Sequence, residues 1–167
     1  ELPKGWQATR LPMVVSMSNR GVVVPKEYWN LGNNVLYTCA RDSMMTNFSD
    51  FDVNVLTNKS DLLLACMADP YVFIPDMNSI YSNVVCRVRV FDGFSRRFIA
   101  YGLMTASRFI KRHGVIMDSF NFQRWSQLVF PLPPRAVQDI IASYLDREVG
   151  VIDQQMDAIQ RSIPLLK

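Results

Sequence analysis

Four polar stretches of the sequence combine cationic side chains with amide, hydroxyl or aromatic ones, a combination suited to binding a nucleic acid. Arginine and lysine contact phosphates, and the forked groups of arginine, asparagine and glutamine can read base edges in a groove. For any single residue, the alternative interpretation is a solvated surface side chain. The candidates for DNA contact are Arg20, Lys26, Tyr28, Arg41, Ser43, Arg108, Lys111, Arg112, Asn121 and Arg124.

Residues able to catalyse a reaction or to bind a metal are scattered along the chain. His113 is the only histidine, and no nucleophile lies beside it in the sequence. The chain contains no GxGxxG, P-loop or HExxH pattern. Its three cysteines, Cys39, Cys66 and Cys86, are too widely spaced for a structural zinc site. We therefore predict neither a catalytic centre nor a metal site.

The composition is that of an ordinary globular protein, with 49% hydrophobic and 20% charged residues over a length of 167. This length predicts one domain with room for a small appendage. The net charge of +3 permits an anionic partner without requiring one. Apolar runs are far shorter than the roughly 20 residues that span a bilayer. An odd number of cysteines without a signal peptide is typical of a reducing cytoplasm.

Short apolar runs between turn residues predict the strands that must position these polar loops. PMVVSMS predicts a short strand and VLYTCARDSMM a strand that leads into a loop, with an exposed, Asn- and Gly-rich excursion around a brief strand between them. DLLLACMA predicts a buried strand, and FDVNVLT alternates as a half-buried strand would. The clearest strand is SNVVCRVRVFDG. Its alternation predicts one face with Cys86, Val88 and Val90 and an opposite face with Arg87 and Arg89, which the wet face of a sheet explains as well as a contact with a ligand.

A helical period follows in SRRFIAYGLMTASRFIKRHG. Ser95 is a suitable N-cap and Gly114 a suitable C-cap, and the basic residues just before Gly114 suit the helix dipole. The apolar stripe of this predicted helix is Ile99, Leu103, Ala106 and Ile110.

The last stretch predicts a second, longer helix. Pro133 and Pro134 fit a helix start, and about 30 residues would follow, or roughly 45 Å at 1.5 Å per residue. Gly150 would weaken this helix by about 1 kcal/mol, and Pro164 would kink or end it. Apolar steps of three and four residues predict a seam against a partner helix, the alternative being a helix folded back on its own core. The seam is Leu145, Val149, Ile152, Met156, Ile159 and Ile163.

The same C-terminal stretch, PLPPRAVQDIIASYLDREVGVIDQQMDAIQRSIPLL, resembles the conserved region of type I restriction–modification specificity subunits. LPKGWQATRL is similar to the family's entry to a target recognition domain, and YWNLGNNVLYTCARD and NKSDLLLA are similar to later family stretches. The chain departs from the family pattern at Ser60, Val137 and Pro164. The C-terminal matches are Pro133-Pro134, Gln138, Tyr144-Leu145-Asp146, Ile152-Asp153 and Leu165-Leu166.

The resemblance implies an α+β fold. Residues 1–132 would form a target recognition domain with a twisted, largely antiparallel sheet and a packed helix, and residues 133–167 a long coiled-coil-type helix. The domain would read one half of a split site in double-stranded DNA. The helix would pair with a second copy, or a second half, of the specificity subunit.

The resemblance also implies partners. The helix would dock the modification (methyltransferase) subunits, and restriction subunits would join through them. The chain would be a non-enzymatic component without a cofactor, because S-adenosylmethionine would bind in the modification subunit. It would act in the cytoplasm and not at a membrane. A second interpretation stays open, namely an assembly or regulatory fragment that binds the modification subunit without reading DNA.

Overall fold

The computed structural model describes residues 2–110 and 122–162. These residues form the predicted α+β fold, in which antiparallel sheets pack with helices and a long helix follows. The α-helices are α1 Arg96–Ser107, α2 Phe122–Ser126 and α3 Arg135–Ser162. Short 3-10 turns span Leu11–Met13, Lys26–Tyr28 and Val53–Val55. The strands are β1 Gln7–Arg10, β2 Val15–Arg20, β3 Trp29–Tyr37, β4 Met44–Thr46, β5 Asp61–Ala65, β6 Val72–Phe73, β7 Ile80–Tyr81, β8 Val85–Val90 and β9 Val129–Leu132.

Strand β5 lies in the middle of the fold. Its sheet has the order β2-β8-β5-β6 with antiparallel neighbours throughout. All five residues of β5 are buried, because one face of this sheet packs against α1 and the other against residues of β3 and β7. The predicted alternation of β8 is confirmed. Cys86, Val88 and Val90 lie in the core shared with α1, whereas Val85 lies in the opposite core.

A second sheet, of order β4-β3-β7, covers the face of the central sheet that α1 leaves open. Its strand β3 is longer than predicted, but it bulges, since Trp29 and Asn34 both pair with Thr46. Asn30 and Gly32 adopt positive φ angles of 58° and 71° inside this bulge. The bulged residues are exposed, as predicted for the excursion.

Helix α1 begins directly after Ser95, as predicted, and buries Ile99, Leu103 and Ala106 of the predicted stripe. It ends at Ser107, and the predicted cap Gly114 lies outside the described residues. The ribbon of β1 and β9 packs beside it and brings the beginning of the chain next to the strand that precedes α3.

The alternating segment FDVNVLT does not form the predicted strand. Val53–Val55 is a 3-10 turn, and the side chain of Val53 is 74% exposed. The Asp52 carboxylate accepts a hydrogen bond from the Asn54 N–H at 2.8 Å. A side chain that bonds the neighbouring backbone competes with strand pairing. The pattern of apolar residues, from which the strand was predicted, contains no information about that bond.

The face of β8 that carries Arg87 and Arg89 is only partly open to solvent, since the Arg87 side chain is 13% and the Arg89 side chain 46% exposed. Asp61, at the start of β5, is completely buried. It accepts hydrogen bonds at 2.9 Å from Arg89 Nε and from the Asn58 N–H. Arg87 Nη1 donates to the Asn54 carbonyl at 2.7 Å. The hydrogen bond to Asp61 raises the pKa of Arg89. Both arginines are therefore engaged by the fold.

The N-terminal half of α3 is joined to α1 by one buried amide. Gln138 is 2% exposed. Its Oε1 accepts a hydrogen bond from the Ser95 N–H at 2.9 Å, and its Nε2 donates to the Pro133 carbonyl at 2.8 Å. The amide thus satisfies a donor at the beginning of α1 and an acceptor just before α3. The predicted start of the long helix after the proline pair is confirmed.

A second contact lies two turns further along α3. Asp146 accepts a hydrogen bond from the Tyr101 hydroxyl at 2.8 Å and forms an ion pair with Arg97 at 2.6 Å. Burial and this carboxylate raise the pKa of Tyr101 to about 12. None of the described helices, α3 included, combines the length and apolarity that crossing a membrane takes.

We expect Asp61→Ala to lower the free energy of unfolding by about 1–3 kcal/mol, because the partly buried Asn58 N–H loses its acceptor. Urea unfolding followed by circular dichroism measures this change. Asp50→Ala is the matched control, since it removes the same charge from an exposed position. Equal stability of the two variants would contradict a structural role for the buried carboxylate.

Candidate nucleic-acid interface

Several segments are hydrogen-bonded together around Ala65, at the last residue of β5. The Ala65 N–H donates to the Tyr71 carbonyl at 2.9 Å, and the Ala65 carbonyl accepts from Trp125 Nε1 at 3.0 Å. Ala65 pairs with Val85 of β8, whose carbonyl accepts from the Gly21 N–H at 3.3 Å. We call this edge of the central sheet the Ala65 end. It gathers the end of β2, the turn before β6, and α2.

Arg20 is the last residue of β2 and lies opposite Cys86 of β8. The neighbouring Cys66 thiol and Arg20 guanidinium lower the pKa of the Cys86 thiol against the opposing effect of burial. The next residue must be glycine, because a Cβ on Gly21 would lie 1.8 Å from the Tyr81 carbonyl oxygen. Arg20 is therefore held at the Ala65 end by a backbone that passes directly over β7.

Arg41 and Ser43 are exposed in the turn between β3 and β4. The Arg41 guanidinium lies over the ring of Tyr71, with its Cζ 5.7 Å from the ring centroid. Because the Tyr71 carbonyl is bonded to Ala65, this stacking brings the β3–β4 turn to the Ala65 end as well. A cation over an aromatic face is attracted by the ring quadrupole.

Arg124 lies on α2, the helix that is joined to the Ala65 end. It directly precedes Trp125, which is completely buried and is bonded to Ala65. Arg108 follows α1, and its guanidinium lies 5.0 Å from the ring centroid of Phe109. Phe109 lines one surface pocket with Arg124 and an adjoining one with Arg108. The structure thus brings Arg108 and Arg124 to either side of a single exposed ring.

Lys26 and Tyr28 lie elsewhere, on the 3-10 turn before β3. The Tyr28 ring packs edge-on against Phe48 at 5.3 Å, and the Tyr28 carbonyl accepts from Thr46 Oγ1 at 2.8 Å. These contacts place both residues on the β3–β4 hairpin and not among the groups bonded around Ala65. Packing accounts for the aromatic ring of Tyr28.

The remaining candidates from the sequence, Lys111, Arg112 and Asn121, lie outside the described residues. Over residues 2–110 and 122–162, no three His, Cys, Asp or Glu side chains cluster in a way that could hold a metal ion.

The predicted pairing seam of α3 divides into two parts. Leu145 is half-buried and lines an apolar groove with Phe98 and Tyr101 of α1. Beyond it, the seam residues are 42% to 57% exposed, and they are Val149, Ile152, Met156 and Ile159. Ile163 lies outside the described residues. Folding back on the domain therefore describes the first half of the helix only, and the second half leaves its apolar stripe uncovered.

Tyr71 and Trp125, which organise the Ala65 end, were not among the sequence candidates. Tyr71 belongs to the segment Asp69-Pro70-Tyr71, whose proline marks a turn, and Ala68 just before it has a φ of 58°. Trp125 follows Arg124 in a short polar stretch. The presence of aromatic residues near the predicted cationic loops could have pointed to Tyr71 and Trp125. The sequence does not show, however, which ring a given cation contacts.

The comparisons with known proteins agree with this architecture. The model of the type I restriction modification DNA specificity domain matches residues 3–160. The chain belongs to this family. The family predicted from the conserved C-terminal motif is thereby confirmed, and the specificity domain extends over both the sheets and the greater part of α3. The comparison with curated proteins gave no match.

Solved structures share the fold of this specificity domain. The S subunit of a type I restriction–modification system from M. genitalium is 16% identical and has a TM-score of 0.72, over 99% of this chain and 44% of that one. The HsdS subunit from Thermoanaerobacter tengcongensis is 20% identical and has a TM-score of 0.60. The match covers 98% of this chain and 41% of that one. A third structure concerns complex assembly and conformational transition of the type I R-M system. It is 19% identical, has a TM-score of 0.64, and the match covers 97% of this chain and 42% of that one. The chain spans less than half the length of each.

We expect Gly21→Ala to lower the free energy of unfolding of the specificity domain by about 1–3 kcal/mol, because the added methyl group would overlap the Tyr81 carbonyl. Thermal or urea unfolding measures the loss. Gly93→Ala is the control, since a Cβ there meets no atom within 4 Å. Similar destabilisation by both changes would contradict a specific close approach at Gly21.

Proposed function

We propose that this chain is a DNA-reading unit of a type I restriction–modification specificity subunit. It would contact one half of a split site in double-stranded DNA through the Ala65 end. The observation that carries the proposal is that Arg20, Arg41 and Arg124 come from three separate segments, each in contact with the last residue of one buried strand or with that residue's bonded neighbours. Family membership supplies the kind of ligand.

The arrangement suits DNA for an electrostatic reason. Cationic side chains on a duplex displace condensed counterions, and this term supplies most of the non-specific affinity. Arginine also provides the planar fork that matches base edges and phosphates. Arg41 is exposed and Arg124 half-buried, whereas Arg87 and Arg89 are engaged by backbone carbonyls and by Asp61. Arg41 and Arg124 are thus available to a ligand, whereas Arg87 and Arg89 are engaged within the fold.

Helix α3 would serve assembly. Its 28 residues span about 42 Å at 1.5 Å per residue. The first half is fixed to α1 through Gln138 and Asp146, and the exposed stripe of the second half would pair with the same helix of a second copy or second half. Two domains fixed to the ends of a paired helix would be held at a set distance, as a split site requires.

The chemistry would belong to partners. In this proposal α3 also docks the modification subunits, which bind S-adenosylmethionine and methylate a flipped adenine, and restriction subunits join through them. The chain itself would remain a non-enzymatic component in the cytoplasm.

The DNA contact is tested by assembling the chain with its modification subunits and measuring DNA affinity against salt concentration. We expect Arg20→Ala, Arg41→Ala and Arg124→Ala each to reduce the slope of log K against log salt by about 0.9 for every phosphate that the variant no longer neutralises. Lys59→Ala is the matched control, because this exposed residue precedes β5 and lies at the opposite end of that strand.

The wild-type complex should also select a consensus from a random DNA pool. Absence of any sequence preference in the assembled complex would overturn the proposal. An unchanged salt slope in all three arginine variants, with assembly intact, would favour the assembly fragment that reads no DNA.

The helix pairing is tested by two neighbouring substitutions. Ile152→Asp places a charge on the exposed seam, and Val151→Asp places the same charge next to it but off the seam; both side chains are about half exposed, at 56% and 46%. We expect the first variant to raise the dimer dissociation constant at least tenfold, or about 1.4 kcal/mol, and the second to leave it unchanged. Light scattering over a concentration series measures this, and equal effects of the two variants would contradict the seam.

A further inference from the structure

The turn between β3 and β4 and the turn before β6 are joined by the stacking of Arg41 on Tyr71. The guanidinium Cζ lies 5.7 Å from the ring centroid. The backbone of the first turn is supported by a local bond, since the Ala40 N–H donates to Thr38 Oγ1 at 3.2 Å. Thr38 itself is buried. An exposed side chain therefore projects from an anchored turn.

Tyr71 is a fixed platform for this cation. Its carbonyl is bonded to the Ala65 N–H, and its ring stands edge-on to Phe73 at 4.8 Å. Phe73 is 5% exposed, pairs with Leu63 of β5, and packs on Tyr37 at 5.2 Å. The ring under Arg41 thus belongs to a row of aromatic residues that ends in the buried core between the two sheets.

The polar edge of Arg41 remains available to a ligand. Arg89, Arg97 and Arg135 each have an aspartate partner within the chain. For Arg41, no carboxylate among the described residues lies within ion-pair distance, and its contact is with an aromatic face. A guanidinium that lies flat on an aromatic face has its plane oriented by the ring and keeps its in-plane N–H groups free to donate.

We infer that Arg41 reads a guanine base edge in the target half-site, and that Tyr71 is its positioning residue. The inference rests on the proposed function and names one specificity determinant within it. The guanidinium fork matches the O6 and N7 acceptors that guanine presents in the major groove. A fork already oriented by stacking loses less side-chain freedom on binding than a mobile one. A phosphate contact needs a positive charge but no fixed guanidinium plane. An experiment can therefore distinguish reading of a base from contact with a phosphate.

The test uses the complete chain assembled with its modification subunits, and measures affinity for a consensus site and for sites substituted at every position. Arg41→Lys keeps the charge and removes the fork. We expect it to abolish a preference for guanine at one position, worth about 5- to 150-fold. The affinity for unrelated DNA and the salt slope should stay as in the wild type.

Tyr71 has its own pair of variants. Tyr71→Phe retains the ring and should retain the preference, whereas Tyr71→Ala should lose it at the same position although Arg41 is present. Thermal unfolding shows whether Tyr71→Ala still folds, and Arg41→Lys, on an exposed side chain, decides the role of Arg41 in either case.

Three outcomes overturn the inference. Arg41→Lys could keep the full guanine preference, or Arg41→Ala could weaken binding to all sequences equally without changing the preference at any position, which would mark a contact with phosphate alone. A folded Tyr71→Ala that keeps the preference would remove Tyr71 from the reading unit. In each of these cases the wild-type complex still selects a sequence, whereas loss of selection by the wild type would overturn the proposed function itself.

Discussion

The burial of β5 on both faces is the constraint on which the rest of the domain depends. All five side chains of this strand are inaccessible to water, so two layers must cover it, α1 on one side and the β4-β3-β7 sheet on the other. Its ends must also be satisfied, because buried backbone groups and charges without partners cost stability. Asp61 meets this need with Arg89 and Asn58 at one end, and Ala65 meets it with Tyr71 and Trp125 at the other.

This constraint explains why segments that carry arginines are joined at the Ala65 end. Each hydrogen bond to Ala65 ties down a segment that carries an arginine, directly in the case of Trp125 and Arg124, and through the ring of Tyr71 in the case of Arg41. The close approach of Gly21 to Tyr81 directs the end of β2 to the same place. The requirements of a buried strand therefore arrange the surface that we propose binds DNA.

The apolar stripe of helix α3 keeps one period along the helix, but the two halves of the helix have different surroundings. Its first half is joined to α1 by Gln138, which bonds the beginning of one helix and the residue before the other. Its second half carries the same stripe into solvent. Rigid attachment at one end and an uncovered seam at the other are the properties that a spacer between two recognition domains needs.

The sequence by itself determined the α+β class, the buried strand at DLLLACMA, the two faces of β8, the starts of α1 and α3, and the family. These features rest on local periodicity, on proline and capping chemistry, and on contiguous motifs. Each of these signals lies within a short stretch of the sequence. It misjudged FDVNVLT because the Asp52 side chain bonds the nearby Asn54 N–H. It could not show how Arg87 and Arg89 are engaged, because their partners lie about 30 residues away. Only the tertiary structure decided which arginines are engaged by the fold, which aromatic ring supports Arg41, and where the stripe of α3 leaves the domain. Those outcomes depend on contacts between distant segments, and no local pattern encodes them.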